Sequence, residues 1–445
     1  MNTPIYDFVK SYANGNPVRM HMPGHKGELL LGVESLDITE FDGADDLYHA
    51  DGIIRESELN ASKLFNAHTF YSTEGASLAI RSMLYLAFKH AKSKGLSPVI
   101  FAGRNAHKSF ISAAALIGFD VEWLLPSDNS NYLSCNITPE YLNKVLSKCK
   151  SLPFAIYITT PDYLGNITDI KGLSCVCKKY GVLLLVDNAH GAYLKFLSPS
   201  IHPIDCGADM CTDSAHKTLP TLTGGAYLHI ALNTEQEFVN NAKAAMALFA
   251  STSPSYLILQ SLDLTNAYIA DDFSKKLEST INSTKLLKEK LIKFGYSILQ
   301  SEPLKITIFT KEYGYSGQDF SKILKNKNVL VEFCDNEHVT LMISTKTKEE
   351  DFLTLERVLG KIEKLPKIPV YPPRQILPPK RLSVRDAVFS VCETVNIEDA
   401  ENRILSDISV ACPPAVPIVV SGEVIDKNAI ELFKYYGVKT CKVVK

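Results

Sequence analysis

Between about residues 57 and 290, short apolar runs alternate with stretches in which apolar residues recur every three or four positions. The runs VIFAG, VEWLL, FAIYIT, GVLLLVD and AYLHI, each bounded by turn residues, predict strands, and HTFYST predicts another. ESELNASKLFN and EGASLAIRSMLYLAFKHAKSKG carry the 3.6-residue period of helices, the second with a glycine stop. Strands that are apolar throughout, separated by helices, predict a mostly parallel sheet covered on both faces.

Outside that core the pattern changes. Residues 1–56 form an N-terminal arm that is polar and shows little periodicity. After the large domain, 57–295, three strands (ITIFTKEYG, NVLVEFCDN, HVTLMIS) and two helices over 296–365 predict a small α+β domain. A proline-rich linker, 366–382, leads to a last unit, 383–445. The fold class is α/β.

Composition changes the picture little. The 445 residues carry a formal net charge of −2, so neither charge nor motif points to nucleic acid. No apolar run is long enough for a membrane span, and MNTPIYDFVKSY lacks the layout of a secretion signal. The expectation is a cytoplasmic protein. The ten cysteines are scattered, which favours reduced thiols; Cys175 and Cys177 are read as buried structural thiols, and no metal is expected.

Four features carry chemistry, each at a strand-to-helix boundary. Asp187 ends the strand GVLLLVD, where α/β sheets place their ligands; taken alone, the cap of the next helix is the favoured reading. Lys217 follows a second strand, flanked by Ser214 and His216. A lysine there is desolvated toward the free amine that attacks carbonyls. The turn Glu74-Gly75-Ala76-Ser77 opens a helix and offers backbone amides to an anion; its bland reading is a capped helix. His107 follows a further strand and either stacks on a flat ring or caps. A phosphate cradle, an imidazole, a carboxylate and a lysine together fit one cofactor, pyridoxal phosphate.

The segments RMHMPGHKG, DITEFDGADDLYHADGII, RNAHKS, VDNAHGAY, SAHKTLPTLT and STSPSYLILQSLD, in that order, resemble the Orn/Lys/Arg decarboxylases, fold-type-I pyridoxal-phosphate enzymes with a seven-stranded large-domain sheet. ACPPAVPIVVSGE resembles them more weakly. The resemblance implies that Lys217 holds the cofactor as a Schiff base, Asp187 pairs with the ring nitrogen and His107 stacks on the ring. It puts Gly75, Ala76, Ser77, Ser214 and His216 around the phosphate. Lys217 or a nearby histidine, His190, returns the proton to the substrate. Ser251, Thr252 and Ser253 reach the cofactor of a second subunit, implying a homodimer or higher even oligomer. The implied reaction is decarboxylation of arginine, lysine or ornithine, in polyamine-related metabolism. Asp45, Asp46 and Asp407 are the candidate partners of the substrate's distal cation.

No arginine lies between Arg104 and Arg357, so the small-domain strands offer no clamp for a substrate carboxylate, which favours loss of CO2. Departures from the family pattern fall at Asn188 (a glutamate in the family), Tyr193 (a histidine), the EGAS turn and Cys412. Transamination, another lyase reaction and a non-catalytic cofactor-binding role are the alternatives.

Overall fold

The structure, a computed structural model, describes residues 1–125, 133–370, 376–408 and 416–445, with 411–412 by backbone alone. The Pro-Pro pair within ACPPAVP and part of the linker lie outside those residues. Contacts divide the chain into two units, Met1–Leu96 with Cys177–Lys276, and Ser97–Val176 with Leu277–Lys445.

Seven strands form the main sheet: β1 (His68–Ser72), β2 (Val99–Gly103), β3 (Asp120–Leu124), β4 (Ala155–Thr159), β5 (Leu183–Asp187), β6 (Met210–Asp213) and β7 (Ala226–Ile230). Their order is β1-β7-β6-β5-β4-β2-β3. β2 pairs in parallel with β3 and β4, and β5 with β6. β7 runs antiparallel to both β6 and β1. β4, β5 and β6 are almost wholly buried, as parallel strands covered on both faces must be.

The arm is not shapeless. Residues Pro4–Asn14 form helix α1, with proline in its first turn and Ile5 and Val9 buried one turn apart. Its N-terminal amides are met by a distant carboxylate: Ile5 N and Tyr6 N donate to Asp263 Oδ2 at 2.9 and 3.0 Å. Two buried positions in eleven residues are too few to stand out as a period, so the helix escapes a reading by pattern. Helix α2 spans Ile53–Phe65 and α3 spans Gly75–Ser93.

In the second unit a three-stranded sheet joins Lys305–Phe309, His338–Met342 and Phe333–Cys334, with the second of these in the middle. The strand expected over 328–336 contracts to Phe333–Cys334, which pair with Thr340 and Val339. Leu330 there is 78% exposed; an apolar run with no facing strand gains no ladder and stays irregular. The C-terminal segment packs Leu405, Val416, Ile418, Ile425, Phe433 and Val443 into one core with Leu133, Leu164 and Phe333. Cys177 is buried and its thiol is pushed up to about 12, by burial first and then by Asp209. Cys175 is exposed, which corrects the expectation that both are interior: on helix α5 (Ile170–Tyr180) positions two apart face different ways.

Candidate active site

In the first unit, β5 and β6 end side by side, with Asp187 opposite Thr212 in the ladder. Each then delivers chemistry. At the end of β5, Asp187 is 2% exposed and accepts from Ala189 N at 3.2 Å. The chain closes a tight turn through Gly191 N to Asn188 O at 2.8 Å; within it lies His190, 3% exposed. Beyond β6 comes a single helical turn, Ala215–Thr218, whose half-buried Lys217 places Nζ 3.0 Å from His190 Nε2. Lys217 and His190 therefore form one proton-sharing pair across 27 residues of sequence.

The turn through Glu74 opens helix α3 at Gly75. Gly75 has φ of +70° and nothing within 4 Å of where a Cβ would stand, so its backbone is open to a ligand. Gly75 N donates to Gly224 O at 2.7 Å. Gly224, at φ +101°, admits no side chain, since a Cβ would lie 2.8 Å from Thr73 O. Helix α3 begins at Gly75 without a side-chain cap and without an acidic residue in its first turn, which leaves the positive end of its dipole for an anion. Ala76 is buried and Ser77 half-buried in that turn. Glu74 turns instead to Ser251, whose N–H it accepts at 2.7 Å. Ser251, Thr252 and Ser253 are exposed. His216 Nδ1–H donates to Gly225 O at 2.9 Å, fixing its tautomer and ring plane, and Ser214 is buried beside it in sequence. The donor set, an open glycine turn at a helix start, a lysine paired with an imidazole and a buried carboxylate, fits pyridoxal phosphate.

His107, in the second unit, caps helix α4 (Lys108–Ile117): its Nδ1 accepts from Ser109 N at 3.1 Å. That bond holds the imidazole in one orientation. Asp45 is committed elsewhere. Its carboxylate accepts from the amides of Asp46, Asp51, Gly52, Ile54 and Arg55 at 2.8–3.3 Å, an acidic cap on the start of α2. Asp46 accepts from Tyr48 N at 2.8 Å and pairs with exposed His49 at 2.9 Å. Asp407, half-buried, offers its backbone carbonyl to Ser421 Oγ at 3.1 Å. Tyr193 is fully buried. The side chain of Cys412 lies outside the described residues.

Reading by motif misses the buried cluster behind this site. Asp213, fully buried, accepts from His202 Nε2 at 3.0 Å, His229 Nε2 at 3.2 Å and Asn188 Nδ2 at 2.6 Å. Burial pushes its carboxyl up, but the two imidazoles outweigh burial and hold it well below the usual range. Among the described residues, His202, Cys211 and Asp213 also lie close enough to share a metal ion, as do His90, Glu235 and Glu237.

The strand order and the lysine-bearing turn after β6 define a fold-type-I pyridoxal-phosphate enzyme. A model of the Orn/Lys/Arg decarboxylase major domain matches residues 3–298, and one of the C-terminal domain of Orn/Lys/Arg decarboxylases matches residues 372–440. The chain belongs to the Orn/Lys/Arg decarboxylase family and is a pyridoxal-phosphate-dependent amino acid decarboxylase. It is 28% identical to an uncharacterized protein of Bacillus subtilis over 99% of this chain and 95% of that one. It is 27% identical to the arginine decarboxylase of the same organism over 97% of this chain and 93% of that protein. Its fold matches the constitutive lysine decarboxylase of E. coli with a TM-score of 0.79 at 16% identity, covering 100% of this chain and 82% of that one. Among the described residues, no helix is long and apolar enough to cross a membrane.

Proposed function

We propose that the protein decarboxylates a basic amino acid, arginine ahead of lysine and ornithine, to the corresponding amine and CO2. The observation that carries this reading is the Lys217–His190 pair, 3.0 Å apart, on the turns that follow β5 and β6. The substrate preference is supported by the arginine decarboxylases among the relatives that match nearly the whole chain.

Pyridoxal phosphate, when bound, supplies the electron sink that accepts the pair left by departing CO2. Lys217 would hold its aldehyde carbon, and Asp187 would face the ring nitrogen and favour its protonated form. The amides of Gly75, Ala76 and Ser77, with Ser214 and His216, would bind the phosphate, and His107 would lie against the ring. Lys217 and His190 then hold and return the proton that replaces the carboxylate at the substrate Cα. With Asp45 spent on backbone amides, Asp46 and Asp407 are the carboxylates left for the substrate's distal cation. The exposed Ser251–Ser253 segment supports a homodimer in which it reaches a second subunit. So does the exposed apolar surface of the arm, where Val18, Met20, Leu30 and Leu31 are each more than 80% exposed.

The test is product analysis on arginine, lysine and ornithine. CO2 with agmatine as the principal product is expected from arginine; a keto acid overturns the reading. Lys217→Ala should abolish turnover and the visible absorbance of the covalently held cofactor. Asp407→Asn should shift the preference among the three amino acids; an unchanged preference removes Asp407 from the substrate site.

A further inference from the structure

At residue 188 the family pattern has glutamate and this chain has asparagine. The structure supplies the reason. Asn188 Nδ2 donates to Asp213 Oδ1 at 2.6 Å in a site with no solvent access. A glutamate here would put a second carboxylate against a buried one, and two such groups cannot both stay ionised. The amide turns that repulsion into a hydrogen bond.

Asn188 is fixed from both sides. Its backbone N–H donates to Thr212 O at 2.9 Å, one residue before Asp213. Its Oδ1 sits where a Cβ on Gly191 would stand, 2.0 Å away, so only glycine at 191 leaves room for it. Asp213 is fixed in turn: His202 reaches it from the loop before β6 and His229 from β7, and His229 Nδ1 is itself bonded to Thr69 Oγ1 of β1 at 2.9 Å. Three segments distant in sequence therefore converge on one carboxylate, and a fourth braces one of them.

We propose that Asp213 is a positioning residue: through Asn188 it locks the turn bearing Asp187 and His190 against the turn bearing Lys217. The inference rests on the functional reading above, because it takes Lys217, His190 and Asp187 as the working groups. The carboxylate itself touches none of the reacting atoms. It ties the two strand ends one position past their last shared rung, so the Lys217–His190 distance is set by a buried bond rather than by flexible turns.

The test is a charge-swap cycle on Asn188 and Asp213. Asn188→Asp opposes two carboxylates. It should lower kcat roughly 10²-fold, the scale of a misplaced reacting group, with KM changed far less. It should also weaken cofactor binding, read by titrating pyridoxal phosphate into apoprotein and following visible absorbance. Adding Asp213→Asn restores one acid and one amide across the contact, with their places exchanged. The amide oxygen introduced at position 213 accepts from both histidines, and its NH2 donates to the carboxylate introduced at position 188. The double variant should recover most of both readouts. A harmless Asn188→Asp, or a double variant no better than the single, overturns the proposal. So does a single variant that loses melting temperature while kcat and cofactor affinity hold. Metal analysis should find no stoichiometric ion; an ion bound by His202, Cys211 and Asp213 would overturn the hydrogen-bonded clamp. If the wild type takes up no cofactor, the functional reading fails instead. If it takes up cofactor but turns over none of the three amino acids, the titration still decides the clamp.

Discussion

Each unit buries an ionic cluster at or just past a strand end, and the two are built differently. In the first, Asp213 is an anion surrounded by three separate donors. In the second, Arg104 follows β2 and is 1% exposed. It donates to the carbonyls of Pro417 and Ile418 at 3.1 and 3.0 Å and to Glu423 Oε2 at 3.1 Å, with its guanidinium over Trp123. The same Glu423 oxygen also accepts from Val420 N at 2.7 Å. Burial is the first influence on Glu423 and pushes its carboxyl up, Arg104 opposing it; Asp213 is held low. Both carboxylates have more than one donor; Asp213 faces two imidazoles, whereas Glu423 faces one guanidinium that also serves two carbonyls.

The comparison is most easily broken at Arg104. Arg104→Ala strands Glu423 in the interior and should cost about 3–5 kcal/mol, measured by urea unfolding. A loss below about 1 kcal/mol would mean that Glu423 simply takes up a proton.

A third carboxylate sharpens the contrast. Asp263 accepts from Ser57 Oγ and the amides of Ile5 and Tyr6, with no histidine. Burial raises it from the ordinary 3.8 to about 6, against those hydrogen bonds. The folded protein therefore holds this proton more tightly than the unfolded chain. Stability should rise as pH falls from 7 through about 6 toward about 4, by on the order of 2–3 kcal/mol from this group. Asp263→Asn should remove that slope in unfolding curves taken across the window, and an identical slope would show that other groups produce it.

The smallest effect belongs to the distributed cluster. His229→Leu leaves Asp213 with His202 and Asn188 and leaves Thr69 without its imidazole partner, for about 1–2 kcal/mol. A loss as large as that at Arg104 would erase the distinction between the two plans.

Much of the site is legible in the residues because its signals are local. Gly75, His107, Asp187 and Lys217 each follow a strand readable from its apolar run, and the order of motifs carries the family. The turn geometry at Gly75 and the capping role of His107 follow from residues within a few positions. The Asp213 cluster is not legible that way. Its bonds join residues 11, 16 and 25 positions apart, and no periodicity marks them. Asp45 shows the converse: in sequence it is an acidic residue in a motif, and only the fold reveals that five amides consume it.

The sequence by itself determined the alternation of strands and helices, the chemistry at each strand end and the family those imply, since each rests on periods and spacings within about 20 residues. Tertiary structure alone decided which strand ends become neighbours. It also decided that α1 docks its start on Asp263 and that Arg104 meets a glutamate 319 residues away. The physical reason is that a buried charge must find its partners in space, and the partners are chosen by the packing of the sheet and helices, not by their distance along the chain.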